Sequence, residues 1–403
     1  MDSSSPPSST PFGIDNIPFG VISTRDNPAP RCATAFEDHA VDLSCLEKDG
    51  LFASIPGFGT GVFSQPNLNT FASLPRPIHA EVRKKLVDYL ASADISREEQ
   101  QKSFILLSQV TNHLPMNTAN YTDFYCSLEH ARNCSEVIGL EVNPNWYCIP
   151  SCYNGRTSSL RISGDPIRRP WGLEMGVYVS KPLPAGQILD MRQARDHIFG
   201  LVLLNDWSAR DIQAFEMNPL GPFHSKGFGT TVSPWIVTME ALEPVECERV
   251  VVQDPRPLGH LAWRGVSERE AIAVELSAKI LRNGKTYHVT TTNLNELYWT
   301  PYQQLTHLAS AGEGLCTGDI LGTGTLSSSR VGPTGEKIGL ACLLERAIPR
   351  NMLSALKSDG IVFLEDGDEV VFEGWCRSPH SGKWFGFGEC RAVVLPALDL
   401  REV

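Results

Sequence analysis

Short apolar runs broken by Gly, Pro and Asn/Asp clusters make up most of the chain, and long amphipathic stretches are few. Phe19-Gly20-Val21-Ile22-Ser23-Thr24 and the alternation from about Ala33 to Leu43 predict strands, punctuated by Asp26-Asn27-Pro28. Ile78, Val82, Leu86 and Leu90 recur at four-residue spacing and predict a helix with one apolar face. Ser96 with Glu99 three residues later predicts a capping box for the next helix. Two more helices are predicted, one from about Asp196 to Phe215 and one from about Leu297 to Ala311, with Pro301 in the first turn of the second. Towards the C-terminus, Ile361-Val362-Phe363 and Glu369-Val370-Val371-Phe372 predict strands joined by a turn at Glu365-Asp366-Gly367-Asp368.

This pattern divides the chain. The Ser/Pro-rich start predicts a disordered tail over 1–16, then a small β-rich domain with linking helices over 17–115, then one long glycine- and strand-rich domain over 116–403. No fixed-period repeat is present. The fold class expected is mostly β with some helix, α+β. The 403 residues are 42% hydrophobic and 20% charged, the balance of a globular protein of about two domains. A net charge of -11 without a basic run argues against a nucleic-acid partner. The most apolar stretch, Ile198 to Leu204, is far below the roughly 20 residues of a membrane span. Eleven cysteines, an odd number with no Cys-x-x-Cys pair, predict reduced thiols rather than a disulfide scaffold. The start Met1-Asp2-Ser3-Ser4-Ser5 lacks the basic and apolar regions of a signal peptide, so a cytoplasmic location is expected.

Two segments concentrate chemistry. In Asn205-Asp206-Trp207-Ser208-Ala209-Arg210-Asp211-Ile212-Gln213, a helix would put Asp206, Arg210 and Gln213 on one face. That face is either solvated surface or, behind the apolar run Ile198 to Leu204, a set of buried polar groups needing partners. Asp123-Phe124-Tyr125-Cys126-Ser127-Leu128-Glu129-His130 offers a metal-binding carboxylate beside a general base, or else an N-cap Asp and a surface His. The glycine-rich pieces at Gly57, Gly227 and Gly322-Thr323-Gly324-Thr325 complete no phosphate-binding pattern and predict turns. No Gly-x-Ser-x-Gly elbow is present.

Longer stretches resemble the fumarylacetoacetase family: Asn205 to Gln213, Pro219-Leu220-Gly221-Pro222-Phe223, Lys226-Gly227-Phe228-Gly229-Thr230-Thr231, Pro166-Ile167-Arg168-Arg169-Pro170, Tyr298-Trp299-Thr300 and Gly386-Phe387-Gly388-Glu389-Cys390. The resemblance runs in order from about residue 17 to about residue 397. It implies an SH3-like N-terminal barrel, a β-roll catalytic domain and a homodimer. The implied reaction is hydrolysis of a carbon–carbon bond in a 1,3-dicarbonyl acid, at the end of tyrosine breakdown, with Mg²⁺ or Ca²⁺ as cofactor. Carried over by position, Asp123, Glu174 and Asp206 match metal ligands and His130 matches the base. Arg210, Gln213 and Lys226 match a polar clamp on the carbonyl oxygens, and Tyr125, Tyr153 and Thr325 match substrate-binding groups.

The departures fall on the same chemistry. The family's Glu-x-Glu pair reads Gly172-Leu173-Glu174 here, after a segment that is shorter than in the family. Loss of one carboxylate predicts a weakened or lost cation site. The Glu that orients the base falls near Leu343, and Glu345, two residues on, is the substitute expected to reach the same side of a strand. Gly139 stands where the family has Arg, and Asn154 in Tyr153-Asn154-Gly155-Arg156 where it has His. Two active readings follow, a hydrolase of a small-molecule dicarbonyl substrate and a repurposed enzyme. The repurposed enzyme would steer enolate chemistry (tautomerisation, decarboxylation, condensation or cyclisation) in specialised metabolism. A non-catalytic binding homologue is the third.

Overall fold

The computed structural model describes residues 10–92, 95–168, 172–263, 269–348 and 351–397, apart from the side chains of 97–99. The N-terminal part is a five-stranded antiparallel sheet. Its order is Phe104–Leu106, His39–Asp42, Arg31–Phe36, Phe19–Thr24, Val110–His113. Helix Arg76–Leu90 lies beside it, burying Val82, Leu86 and Leu90 as its four-residue spacing predicts, with Ile78 half-buried and His79 buried in addition. Phe19, Phe52, Phe58, Phe63 and Phe71 interlock in this core. The tail expected over 1–16 is packed from Thr10 onward. Phe12 meets Trp235 edge-on at 5.9 Å, and buried Asn16 donates through Nδ2 to the Gly386 carbonyl at 2.7 Å. Residues 1–9 and the Glu99 half of the capping box lie outside the described residues.

The C-terminal part carries an eight-stranded mixed sheet. Its main path runs Cys152–Asn154, Tyr121–Phe124, Ile320–Gly322, Leu173–Val179, Ile198–Asp206, Thr230–Val232, Leu160–Ile162. A four-stranded antiparallel sheet orders Lys285–Asn293, Glu275–Arg282, Glu369–Arg377 and Trp384–Val393. The chain is therefore α+β, as its sequence pattern predicts.

The long helix predicted over Asp196–Phe215 does not exist. In its place stand a helix ending at Asp196, the nine-residue strand Ile198–Asp206 and a separate helix Arg210–Glu216. The cause is burial on both sides. Leu201 and Leu203 face the C-terminal core while Val202 and Leu204 face a core shared with the N-terminal sheet, so no polar face marks the two-residue period. A bulge after Ile198 obscures it further. Helix Pro301–Ser310 begins four residues later than predicted, where Thr300 and Gln303 close a capping box around Pro301. No strand forms at Ile361-Val362-Phe363; pairing starts only at Glu369. Among the described residues no helix is long and apolar enough to cross a membrane.

Candidate active site

Three strands of one sheet deliver three carboxylates. Side chains two apart on a strand share a face. Tyr121 precedes Asp123 by two, Leu204 precedes Asp206 by two, and Tyr178 follows Glu174 by four. Tyr121, Tyr178 and Leu204 all sit in the core shared with the N-terminal sheet. The face that buries hydrocarbon along its middle thus carries Asp123, Glu174 and Asp206 at its edge. Gly322, between the Asp123 and Glu174 strands, makes room. A Cβ there would lie 2.3 Å from Asp123 Oδ1 and 3.2 Å from Glu174 Oε2.

One oxygen from each carboxylate falls within 4.8 Å of the others, and all three residues are buried. Asp123 Oδ1, Glu174 Oε2 and Asp206 Oδ1 accept no hydrogen bond from the described residues. Burial, then repulsion from Asp206, pushes the Asp123 carboxyl up to about 7. Burial, then Asp123 and Asp206, raises Glu174 well above its usual range. Two unit charges at such separation repel by about 3 kcal/mol at an effective dielectric of 20. Lys226 relieves part of this by ion-pairing with Asp206 Oδ2, to which the Tyr153 hydroxyl also donates at 3.0 Å. Three orphaned, oxygen-only acceptors fit a hard divalent cation such as Mg²⁺ or Ca²⁺, with substrate or water completing the shell. Gly172 borders this cluster. A Cβ built on it would stand 3.6 Å from Glu174 Oε1 and 3.0 Å from Thr325 Oγ1, so a longer side chain there would project among the carboxylates.

Asp123 stands on strand Tyr121–Phe124 and His130, buried and not at the surface, on a helix that follows after a short link. Ser127 caps helix Leu128–Val137, its Oγ accepting the His130 N–H at 3.1 Å and donating to the Ser327 carbonyl at 2.7 Å. The buried imidazole places Nδ1 3.3 Å from Glu345 Oε1. Glu345 reaches it from a single 3₁₀ turn, Leu344–Ala347, and not from the expected strand. The carboxylate is tightly held: Ser327 Oγ donates to Oε2 at 2.7 Å, the Cys342 N–H to Oε2 at 3.2 Å, and Asn133 Nδ2 to Oε1 at 3.1 Å. Asn133 lies one turn beyond His130, so one helix grips Glu345 twice. Buried Arg346 fixes the turn by donating to the carbonyls of Val289, Leu340 and Asn351 at 2.5–3.2 Å. Burial opposes the His130 imidazolium, yet Glu345, with Cys342 beside it, outweighs burial and carries His130 up to about 9. Burial likewise opposes the Glu345 carboxylate, and His130 brings it down to about 2.

The remaining candidates connect the two groups. Tyr125 meets His130 edge-to-face at 5.1 Å. Asp206 ends a strand, so only Arg210 and Gln213 share a helix; Arg210 Nη1 donates to Gln213 Oε1 at 2.9 Å. Burial works against the Arg210 guanidinium, but negative neighbours in both clusters, Asp206 and Glu345 among them, raise its pKa. Lys226 also lies over the Tyr153 ring, 5.8 Å from its centre. Sequence reasoning missed Asn133, Ser327, Arg346 and Gly322. The one-turn spacing from His130 is a signal for Asn133; the others act through contacts distant in sequence.

Residues 15–115 match the family described as fumarylacetoacetase N-terminal, and residues 119–395 that described as fumarylacetoacetate (FAA) hydrolase C-terminal. The fumarylacetoacetase of Arabidopsis thaliana is 41% identical over 414 residues, covering 96% of both chains. That of Rattus norvegicus is 37% identical over 419 residues, covering 96% of this chain and 97% of its own. The solved fumarylacetoacetate hydrolase of psychrophilic Exiguobacterium antarcticum superposes with a TM-score of 0.55 at 15% identity, over 94% of this chain and 100% of that one, a likeness of fold alone.

Proposed function

Because the chain belongs to the fumarylacetoacetase family and is a hydrolase of carbon–carbon bonds, we propose that it cleaves a 1,3-dicarbonyl acid of the fumarylacetoacetate type. His130 is the general base. With Nδ1 turned to Glu345, its Nε2 is the nitrogen left to take a proton from water. The hydroxide oxygen adds to the carbonyl carbon, and the adjacent carbon–carbon bond then breaks. Its electron pair leaves on the β-keto acid fragment as an enolate, which takes back the proton held by His130. Arg210, Gln213 and Lys226 orient the carbonyl oxygens and receive their developing charge. A hard divalent cation held by Asp123, Glu174 and Asp206 supplies Lewis-acid polarisation of those oxygens. Tyr125, Tyr153 and Thr325 border the substrate.

The observation that carries this reading is the buried His130–Glu345 pair at 3.3 Å beside a second cluster rich in carboxylates. The test is direct. Protein supplied with fumarylacetoacetate and Mg²⁺ should release fumarate and acetoacetate, and chelator or His130→Ala should abolish release. One observation, Gly172 bordering the carboxylates, favours a second reading in which a three-carboxylate site runs enolate chemistry without hydrolysis. Substrate consumption that persists in chelator and yields no fumarate would select it. Exposed Phe215, Leu220 and Phe223, on the segment joining Gln213 to Lys226, support a homodimer that covers them.

A further inference from the structure

The His130–Glu345 pair has two sulfur neighbours that hydrolysis does not use. Cys342 Sγ, a ring nitrogen of His130 and a carboxylate oxygen of Glu345 lie within 4.8 Å of one another, all buried. Cys134, one turn along the helix from His130, places its Sγ 3.6 Å from both ring nitrogens and contacts the Cys342 thiol. Imidazole, carboxylate and two thiols therefore converge, while the neighbouring cluster offers oxygen alone.

We propose that His130, Glu345, Cys342 and Cys134 form a second metal site, one selective for a borderline or soft divalent ion of the zinc class. Bonds of about 2.3 Å to sulfur, 2.0–2.1 Å to nitrogen and 2.0–2.2 Å to oxygen at tetrahedral angles set nitrogen and oxygen about 3.4 Å apart and nitrogen and sulfur about 3.6 Å apart. The separations here are 3.3 Å for His130 to Glu345 and 3.6 Å for His130 to Cys134. The separations match ligand-to-ligand spacing, but a sulfur equidistant from both ring nitrogens lies over the imidazole face, so the ring and the Cys134 side chain must turn for an in-plane nitrogen lone pair and the sulfur to meet one ion. Thiolate and imidazole select zinc-like ions over magnesium. Asn133 and Ser327 supply the outer hydrogen bonds that hold a ligating carboxylate. As the ion enters, the proton between His130 and Glu345 and those of the two thiols leave, with no change of oxidation state. The consequence for activity rests on His130 being the base. An ion on the imidazole silences it, so zinc inhibits while magnesium at the carboxylates supports turnover.

Cobalt(II) tests the site without relying on turnover. The reduced full-length protein, with its carboxylates saturated by Mg²⁺, should bind one Co²⁺ with thiolate-to-metal charge-transfer absorption and the visible bands of tetrahedral coordination. Zinc should displace it. Cys134→Ser and Cys342→Ala should each weaken that binding on the order of tenfold. Absence of the charge-transfer band, or a band unchanged in both variants and so owed to other cysteines, overturns the proposal. X-ray absorption at the zinc edge of the wild-type protein covers the case of a variant that does not fold. Two sulfur ligands support the site, and none refutes it. A cobalt band that forms while fumarylacetoacetate cleavage continues unchanged supports the metal site and removes His130 from the role of base.

Discussion

Glu345→Gln removes one charge from the base pair and keeps its shape. His130 stands at about 9 against an ordinary 6.5 because Glu345, followed by Cys342, outweighs burial. That gap corresponds to about 3 kcal/mol in favour of the imidazolium, at about 1.4 kcal/mol per pH unit. Proton abstraction from water needs the neutral ring, so kcat/KM of the wild type should climb with unit slope up to pH about 9 and then level. In the variant the carboxylate's share is lost while burial and the Cys342 neighbour remain, so the rising limb should move to clearly lower pH. The plateau should fall too, by about 100-fold or more, because a carboxamide neither orients the ring as firmly nor stabilises its charged form.

Melting temperature gives an independent check with a defined sign. The raised His130 contributes stability fully below pH 6.5 and loses it as pH climbs through about 9. The depressed Glu345 contributes above 4.5 and loses that as pH falls through about 2. The wild-type advantage over Glu345→Gln should therefore peak between pH 4.5 and 6.5 and shrink on both sides. A limb that stays near pH 9 in the variant, or a stability difference that does not shrink toward pH 9 and toward pH 2, would refute the coupling.

Gly172→Glu adds a fourth carboxylate to the cluster after a small turn of the Thr325 hydroxyl, and calorimetry should find Mg²⁺ bound about tenfold more tightly. Gly322→Ala pushes a methyl against Asp123 Oδ1, and cation affinity should drop on the order of tenfold while circular dichroism stays native. Lys226→Met strips the positive partner from Asp206, so Mg²⁺ should bind more tightly even as kcat falls about 100-fold; a parallel loss of both would mean the lysine only holds the fold. If the proposed homodimer forms through Phe215 and Leu220, wild type should sediment as a dimer and Phe215→Ser with Leu220→Ser as a monomer in analytical ultracentrifugation; a monomeric wild type or an unchanged mass would dismiss that surface as the interface.

What could be read from the sequence follows from how local each signal is. Helix Arg76–Leu90 and the strand Phe19–Thr24 were legible because one face of each is marked by spacing or by turn residues at its ends. Ile198–Asp206 was not, since apolar neighbours on both sides erase the alternation that separates strand from helix. The same error moved Asp206 onto a helix with Arg210, although its identity as a candidate survived. Glu345 was named from its place in the chain, but its route to His130 through a 3₁₀ turn depends on Arg346 and on carbonyls from distant segments. No periodicity encodes such a turn.

The two clusters also differ in what sustains them. His130 and Glu345 are held by short-range grips: Ser127, Asn133, Ser327 and one turn pinned by Arg346. The carboxylates are held by the sheet, and their face is dry because Tyr121, Tyr178 and Leu204 pack against the N-terminal core. Burial is the leading cause of the raised Asp123 and Glu174 values, so the N-terminal module contributes to the electrostatics of a site whose ligands it does not supply. Loosening that core, for instance at Phe71, admits water to the sheet face and relaxes those carboxyls toward ordinary acids. The shared core thus gives a physical reason for the small N-terminal sheet to accompany the catalytic one.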